Sequence, residues 1–342
     1  MYVILRRLLF LVGPEFAHHL SMGLLQAISG MKWSHMVLRG FRPRVTDVAE
    51  VAGVRFPNRV GLAAGFDKNA RYLRAAHALG FGHVEIGTVT PRGQAGNSKP
   101  RLFRLPHSRA LINRMGFNND GMEVIVRRLA HRPAGLIVGC NLGKNKDTPL
   151  EDAHKDYLLV MACFYDRVDY FTVNVSSPNT PQLRQLQESA WLKGILLPLV
   201  AYRNRQNVSR PIFLKIAPDL DQKQILEVAE TAVHAGIEGI IATNTTIDRA
   251  TLTEQERHRA SLCGEGGMSG APLTGRSTEV TRQLLEALNG RLPVVASGGI
   301  MTLENAEERF RLGVPLVQLY TGFVYAGPGL IYDVARAGLN KP

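Results

Sequence analysis

Lys215 stands in Phe213-Leu214-Lys215-Ile216-Ala217, a run whose other members are apolar or small. Pointing outward from a strand toward packed helices, its ammonium would be desolvated for nothing; pointing inward, it can face a developing anion. The inward placement is the expectation adopted. Other short apolar runs end in amides, at Asn141, at Asn174 with Asn179 close behind, and at Asn244, and Lys68 follows the run that opens at Gly61. Neutral donors and acceptors with two cations suit a planar, amide-rich, anionic ligand. Ser177 lies among turn formers in Asn174-Val175-Ser176-Ser177-Pro178-Asn179-Thr180, where a lone serine is usually a turn or cap. It has no Gly-x-Ser-x-Gly elbow, which argues against an esterase nucleophile. The ten histidines form no HExxH, and Cys140, Cys163 and Cys263 form no CxxC, so no metal is expected and a reducing compartment fits.

What must position these groups is a repeated unit. Eight apolar runs of strand length begin at Gly61, His83, Leu136, Tyr170, Ile212, Gly239, Val294 and Leu316, and their starts are spaced by about 36 residues. That spacing predicts a strand and crossover helix repeated eight times, an α/β fold of the (β/α)8 TIM barrel kind. An open doubly wound sheet is the alternative, but no GxGxxG follows the first strand. In a barrel the strand C-termini carry the site, and glycines after strands seven and eight, Gly298-Gly299 and Thr321-Gly322, fall where such barrels hold phosphate. Ala49–Val51 and Val54–Phe56 read as a hairpin plugging the barrel bottom. Thr148-Pro149-Leu150-Glu151 reads as a capping box that starts the third crossover helix. The long intervals 86–136 and 243–294 are expected to carry loops over the site.

The chain has 342 residues, 41 Lys+Arg against 29 Asp+Glu, and a formal net charge of +12. That excess favours an anionic partner without saying which. Residues 1–44 form a small basic module. Phe16, Leu20, Gly23, Leu24, Ala27 and Ile28 recur at helical spacing, among Arg6, Arg7, Lys32, Arg39, Arg42 and Arg44. Such a helix suits either an anionic membrane surface or the chain's own main domain. The run Val3–Val12 is broken by two arginines, so no spanning helix is expected. The division adopted is an arm, 1–44, and a catalytic domain, 45–342. A nucleic-acid-binding barrel is permitted by charge, but no RNP-type aromatic motif is present and aromatics are 7%.

The segments Ala63-Ala64-Gly65-Phe66-Asp67-Lys68, Glu85-Ile86-Gly87-Thr88-Val89-Thr90-Pro91, Asn113-Arg114-Met115-Gly116-Phe117-Asn118-Asn119, Asn174 to Thr180 and Ala242-Thr243-Asn244-Thr245-Thr246 together closely resemble the dihydroorotate dehydrogenases, through nearly the whole chain. A serine at Ser177, where soluble class 1 enzymes carry cysteine, and the helical arm resemble the class 2, membrane-associated, quinone-reducing branch. The segment Ala250 to Gly264 is the least familiar part, and its loop is not defined by the resemblance. The resemblance implies FMN at Ala64, Gly65, Phe66, Asp67, Lys68, Thr88, Asn141, Asn174, Lys215, Thr243, Gly270, Gly299, Tyr320 and Thr321. It implies dihydroorotate at Lys68, Asn113, Arg114, Met115, Gly116, Phe117, Asn174, Asn179, Asn244 and Thr245. Ser177 would be the catalytic base, and Lys215 would steady charge on the reduced flavin. It further implies a membrane quinone as acceptor, reached through the arm, and a peripheral place on the cytoplasmic side of the cell inner membrane. A soluble relative passing electrons to fumarate or NAD is the rival enzyme reading.

Overall fold

A computed structural model describes residues 2–31 and 47–337. The chain enters through helices α1 (Tyr2–Phe10) and α2 (Pro14–Ser29) and a hairpin of β1 (Ala49–Val51) and β2 (Val54–Phe56). Next come β3 (Val60–Leu62), α3 (Leu73–Ala78), β4 (His83–Val89), β5 (Leu102–Leu105), β6 (Ala110–Asn113), α4 (Met122–Arg128), β7 (Ile137–Leu142), α5 (Ala153–Phe164), β8 (Tyr170–Asn174) and α6 (Ser189–Arg203). They are followed by β9 (Ile212–Ile216), α7 (Gln222–Ala235), β10 (Gly239–Ala242), α8 (Glu254–Leu262), β11 (Gly267–Gly270) and α9 (Thr274–Leu288). The last elements are β12 (Val294–Ser297), α10 (Leu303–Arg311), β13 (Val317–Leu319), α11 (Thr321–Ala326) and α12 (Pro328–Arg336).

β3, β4, β7, β8, β9, β10, β12 and β13 close into a barrel with every neighbouring pair parallel, so all eight expected strands are present. Along each strand the side chains alternate, the outer set packing on the helices and the inner set filling the barrel. Phe171 and Val173 of β8 join the helix-facing core, while Tyr170, two positions below Thr172, joins an inner cluster with Phe213, Ile241, Val295 and Leu316. The hairpin forms as expected, with Glu50 opposite Arg55. It buries Val51 and Phe56 against that inner cluster, sealing the lower end.

One expectation needs correction, and two regions carry more structure than the sequence defined. The expected capping box at Thr148 does not form: α5 begins at Ala153, and Thr148 Oγ1 donates instead to Asp156 Oδ2 at 2.7 Å, tying the preceding loop to the helix. The two long intervals are not simply loops; β11, β6 and β5 form an antiparallel sheet across the upper end. The segment 250–264 holds α8, capped by the Thr253 hydroxyl.

Pro14 starts α2 as expected, but the repeating residues do not make its docking face. Ala17 and Met22 are buried and Leu25 packs on the core, while Phe16, Leu20 and Leu24 are exposed beside Val3, Ile4, Leu5, Leu8 and Leu11 of the same arm. The arm is held by polar ties: Tyr2 hydroxyl to the Val324 carbonyl at 2.6 Å, Arg104 to the Val12 carbonyl at 2.7 Å, and a Glu15–Arg101 ion pair at 2.9 Å. Lys32, Arg39, Arg42, Arg44 and the boundary at residues 44 and 45 lie outside the described residues. Among the described residues no helix is long and apolar enough to cross a membrane.

Candidate active site

The upper end of the barrel holds a cavity between the strand C-termini and the overlying sheet. Of the residues singled out from sequence, Ala64, Gly65, Lys68, Thr88, Asn113, Met115, Gly116, Phe117, Asn174, Ser177, Asn179, Lys215, Thr243, Asn244, Thr245, Gly270, Gly299, Tyr320 and Thr321 line it. They come from seven of the eight barrel strands or the turns after them, β7 being the exception, together with those that β6 and β11 hang over the top.

Four expected residues do not line this cavity. Asp67 folds back onto its own loop, accepting the Arg71 and Tyr72 N–H groups at 2.8 and 2.7 Å. Burial pushes its carboxyl up in pKa against those bonds. Phe66 is a partition, its ring edge-on to Tyr320 and to His18 of α2. Arg114 turns away, donating to the Pro100 carbonyl at 3.2 Å. Asn141 lies one layer deeper and acts through its neighbours: its Oδ1 accepts from Thr88 Oγ1 at 2.5 Å and from Asn174 Nδ2 at 3.0 Å.

Beneath Asn141 is a residue whose importance the sequence did not signal. Glu85 is fully buried inside the barrel and accepts from Asn141 Nδ2 at 2.7 Å, Gln318 Nε2 at 2.9 Å, Thr172 Oγ1 at 3.0 Å and Tyr170 at 3.4 Å. Four donors around one buried carboxyl group offset its desolvation and fix the Asn141 amide, so that its oxygen faces up. Gln318 lines the cavity and its Oε1 is buried with no protein partner. Lys215 points inward, as expected, and lines the same floor. Burial lowers its pKa, and Glu85 works in the opposite direction.

In the loop after β8, Ser177 is 7% exposed and its Oγ accepts the Asn179 N–H at 3.2 Å. The hydroxyl therefore closes a local turn and still faces the cavity. Asn179 Nδ2 reaches Asn113 Oδ1 at 2.8 Å, and Asn244 Nδ2 reaches Ser176 Oγ at 3.0 Å. Loop and cover approach closely here: a side chain at Gly267 would overlap Thr245 Oγ1 and press on Pro178.

Two backbone turns meet at the far end, Gly298-Gly299 after β12 and the start of α11 at Thr321. Gly299 has φ +71°, and an added Cβ would come within 2.4 Å of Thr274 Cα, so only glycine lets the turn pack there. Ser269 and Thr321 hydroxyls pair at 2.7 Å at its rim. This cradle of backbone and hydroxyls fits a phosphate. The floor, with the orphaned Gln318 acceptor and the inward Lys215 ammonium, fits the donor and acceptor edge of a flavin ring. The donor set thus suits FMN.

A second, smaller cavity adjoins the first between α2 and the turn after β3. Gly65, Lys68, Leu102, Met115 and Tyr320 line both. Lys68 donates to the Gly65 carbonyl at 2.8 Å; burial lowers its pKa to about 8, with Glu15 of the arm opposing the drop. Burial and the Lys68 charge bring His18 down to about 3, a neutral imidazole facing this space. Sequence reasoning also missed Leu102, Leu111, Ser269 and Met301, which enter from the covering sheet and the turn after β12.

The sequence model of the family described as dihydroorotate dehydrogenase matches residues 48–341. The chain is 46% identical over 350 residues to a protein of an Acidovorax species named dihydroorotate dehydrogenase (quinone), covering 98% of this chain and 97% of that one. A Marinomonas protein of the same name is 47% identical over 342 residues, covering 98% and 96%. Among solved structures, DHODH from Eimeria tenella in complex with ferulenol superposes with a TM-score of 0.83 at 34% identity, covering 96% of this chain and 91% of that one.

Proposed function

The chain belongs to the dihydroorotate dehydrogenase family, and from that premise we propose that it oxidises dihydroorotate to orotate with FMN as resident cofactor and a membrane quinone as final acceptor, a step of pyrimidine (UMP) biosynthesis. The observation that carries this reading is that Ser177 and Lys215 line one cavity whose remaining polar side chains are amides, hydroxyls and the Lys68 ammonium. When bound, FMN supplies the acceptor for the hydride from substrate C6 and passes two electrons on. Ser177 takes the proton from C5, so that a C5=C6 double bond forms and the product is planar. A hydroxyl is a weak base unaided, so its own proton must pass to a neighbouring water or hydroxyl as the C5 proton arrives, and the 7% exposure of Ser177 keeps that exchange apart from bulk solvent. Asn113, Asn179 and Asn244 orient the substrate amides, and Lys68 and Lys215 supply positive charge to an anionic substrate and to the charge that develops beneath it.

The second cavity and the arm support quinone as the acceptor. The apolar side chains of Val3, Ile4, Leu5, Leu8, Leu11, Phe16, Leu20 and Leu24 are exposed together, beside Arg6 and Arg7. Many exposed apolar side chains on two short helices that also carry arginine suit a lipid interface. We place this face on the cytoplasmic side of the inner membrane, with the space under α2 leading from lipid to Tyr320 and Lys68. The test is acceptor choice. The intact chain turns over with a quinone and not with fumarate or NAD, and removal of residues 1–40 abolishes quinone reduction while reduction of a soluble dye is partly kept. Full activity of the truncated chain with fumarate or NAD would replace this reading with the soluble one.

A further inference from the structure

The loop that carries Ser177 is tied down in two ways. One set of ties runs through amides: Asn244 Nδ2 to Ser176 Oγ and Asn179 Nδ2 to Asn113 Oδ1. In the reading above those amides also hold substrate, so substrate competes for them and each loosens as the site fills. The second tie does not face the cavity. Arg184, a few residues beyond Ser177, turns its guanidinium back under the loop. Its Nε donates to the Ser176 carbonyl at 3.2 Å and its Nη2 to the Thr245 carbonyl at 3.0 Å, while Nη1 pairs with Asp219 Oδ2 at 2.8 Å. Asp219 is itself fixed, accepting from the Thr246 hydroxyl and from the Ile247 N–H at 3.3 Å. One ion pair therefore joins the loops after β8, β9 and β10. Both partners are about four-fifths buried, which limits screening, and the planar guanidinium serves all three acceptors at once in a way an ammonium does not.

We propose that Arg184 is a positioning residue for proton abstraction: it holds the Ser176 carbonyl and the Thr245 carbonyl in fixed relation, so that the Ser177 hydroxyl stays aimed at the substrate after the asparagine ties have been given up. The inference rests on the reading of Ser177 as the proton acceptor. It requires no contact between Arg184 and substrate, and Arg184 does not line the cavity.

The test separates the two half-reactions of the full-length, FMN-loaded protein by stopped-flow absorbance. In Arg184→Met, bleaching by saturating dihydroorotate slows about a hundredfold, the scale expected when a reacting group is displaced by about 1 Å. Reoxidation of the photoreduced protein by quinone, which does not use the serine loop, keeps its native rate. Asp219→Asn, which leaves both carbonyl bonds possible, shows a smaller loss in the same step. Arg184→Lys recovers part of the rate and carries the test should Arg184→Met not accumulate folded. Equal slowing of both half-reactions, or native bleaching in a folded, loaded Arg184→Met protein, overturns the positioning role. A native protein that dihydroorotate does not bleach at all overturns instead the proposed function on which it rests, and near-native bleaching in Ser177→Ala overturns the role of Ser177.

Discussion

The two ends of the barrel interior are built on the same strands, two residues apart, and have opposite characters. On β8 the inward series runs Tyr170, Thr172, Asn174; on β4 it runs His83, Glu85, Gly87; on β13 and its flanks it runs Leu316, Gln318, Tyr320. The lower members join Phe56, Val51 and Phe213 in a plug of aromatic and aliphatic side chains, where burial takes His83 down to about 3 and leaves its Nδ1 without a partner. The upper members carry amides, hydroxyls and an ammonium into a cavity. Glu85 and Thr172 form the boundary, a hydrogen-bonded layer that is no longer plug and not yet site. The contrast shows that chemistry in this barrel is assigned by depth along a strand.

Substitutions at the two ends should then fail in different ways. The largest effect is expected at the top: Ser177→Ala reduces the rate of flavin bleaching by dihydroorotate about a thousandfold with FMN still bound, measured by stopped flow. A near-native rate would remove Ser177 as base. Lys215→Ala slows the same step by about a hundredfold or weakens FMN retention, read from the bleaching rate and from flavin content after gel filtration. At the bottom, Phe56→Ala leaves turnover per folded molecule unchanged but lowers stability by about 3–5 kcal/mol, measured by denaturant unfolding. A loss of turnover without loss of stability there would break the division. The boundary sharpens it: Glu85→Gln, which places an NH2 group among four donors, should both destabilise and alter the flavin spectrum, showing that the layer serves both ends.

The smallest expected effect is in pH dependence. The Lys68 pKa is lowered to about 8, so its ammonium is lost as pH rises through that value, and KM for the anionic substrate should climb there. Because the unfolded chain holds that proton up to the ordinary lysine value, unfolding stability should rise across the same window, from about 8 toward 10.5. Glu15→Gln removes the charge that opposes the shift and should move the KM inflection to lower pH.

Much of this was legible in the sequence, for identifiable reasons. The barrel strands stand out because strands buried on both faces read as continuous apolar runs. Lys215 stands out because a lysine in such a run is anomalous. Glu85 was hidden by its neighbours: in His83-Val84-Glu85-Ile86 it looks like one face of an ordinary alternation, and only closure of the barrel turns that face into the interior. Asp67 shows the reverse case, since a carboxylate between Gly65 and Lys68 looks like a ligand but satisfies backbone N–H groups of its own turn. The covering sheet was read as loops because β5, β6 and β11 are short and β11 joins β6 across more than a hundred residues. The exposed stripe of α2 shows the limit of periodicity, which finds an apolar face but not what it meets.

The most direct measurement is an absorption spectrum of the purified full-length protein before and after addition of dihydroorotate. The account predicts a yellow protein whose flavin bands bleach on addition and return when quinone is supplied. A folded protein that stays colourless after incubation with FMN, or whose flavin bands are untouched by dihydroorotate, would contradict it.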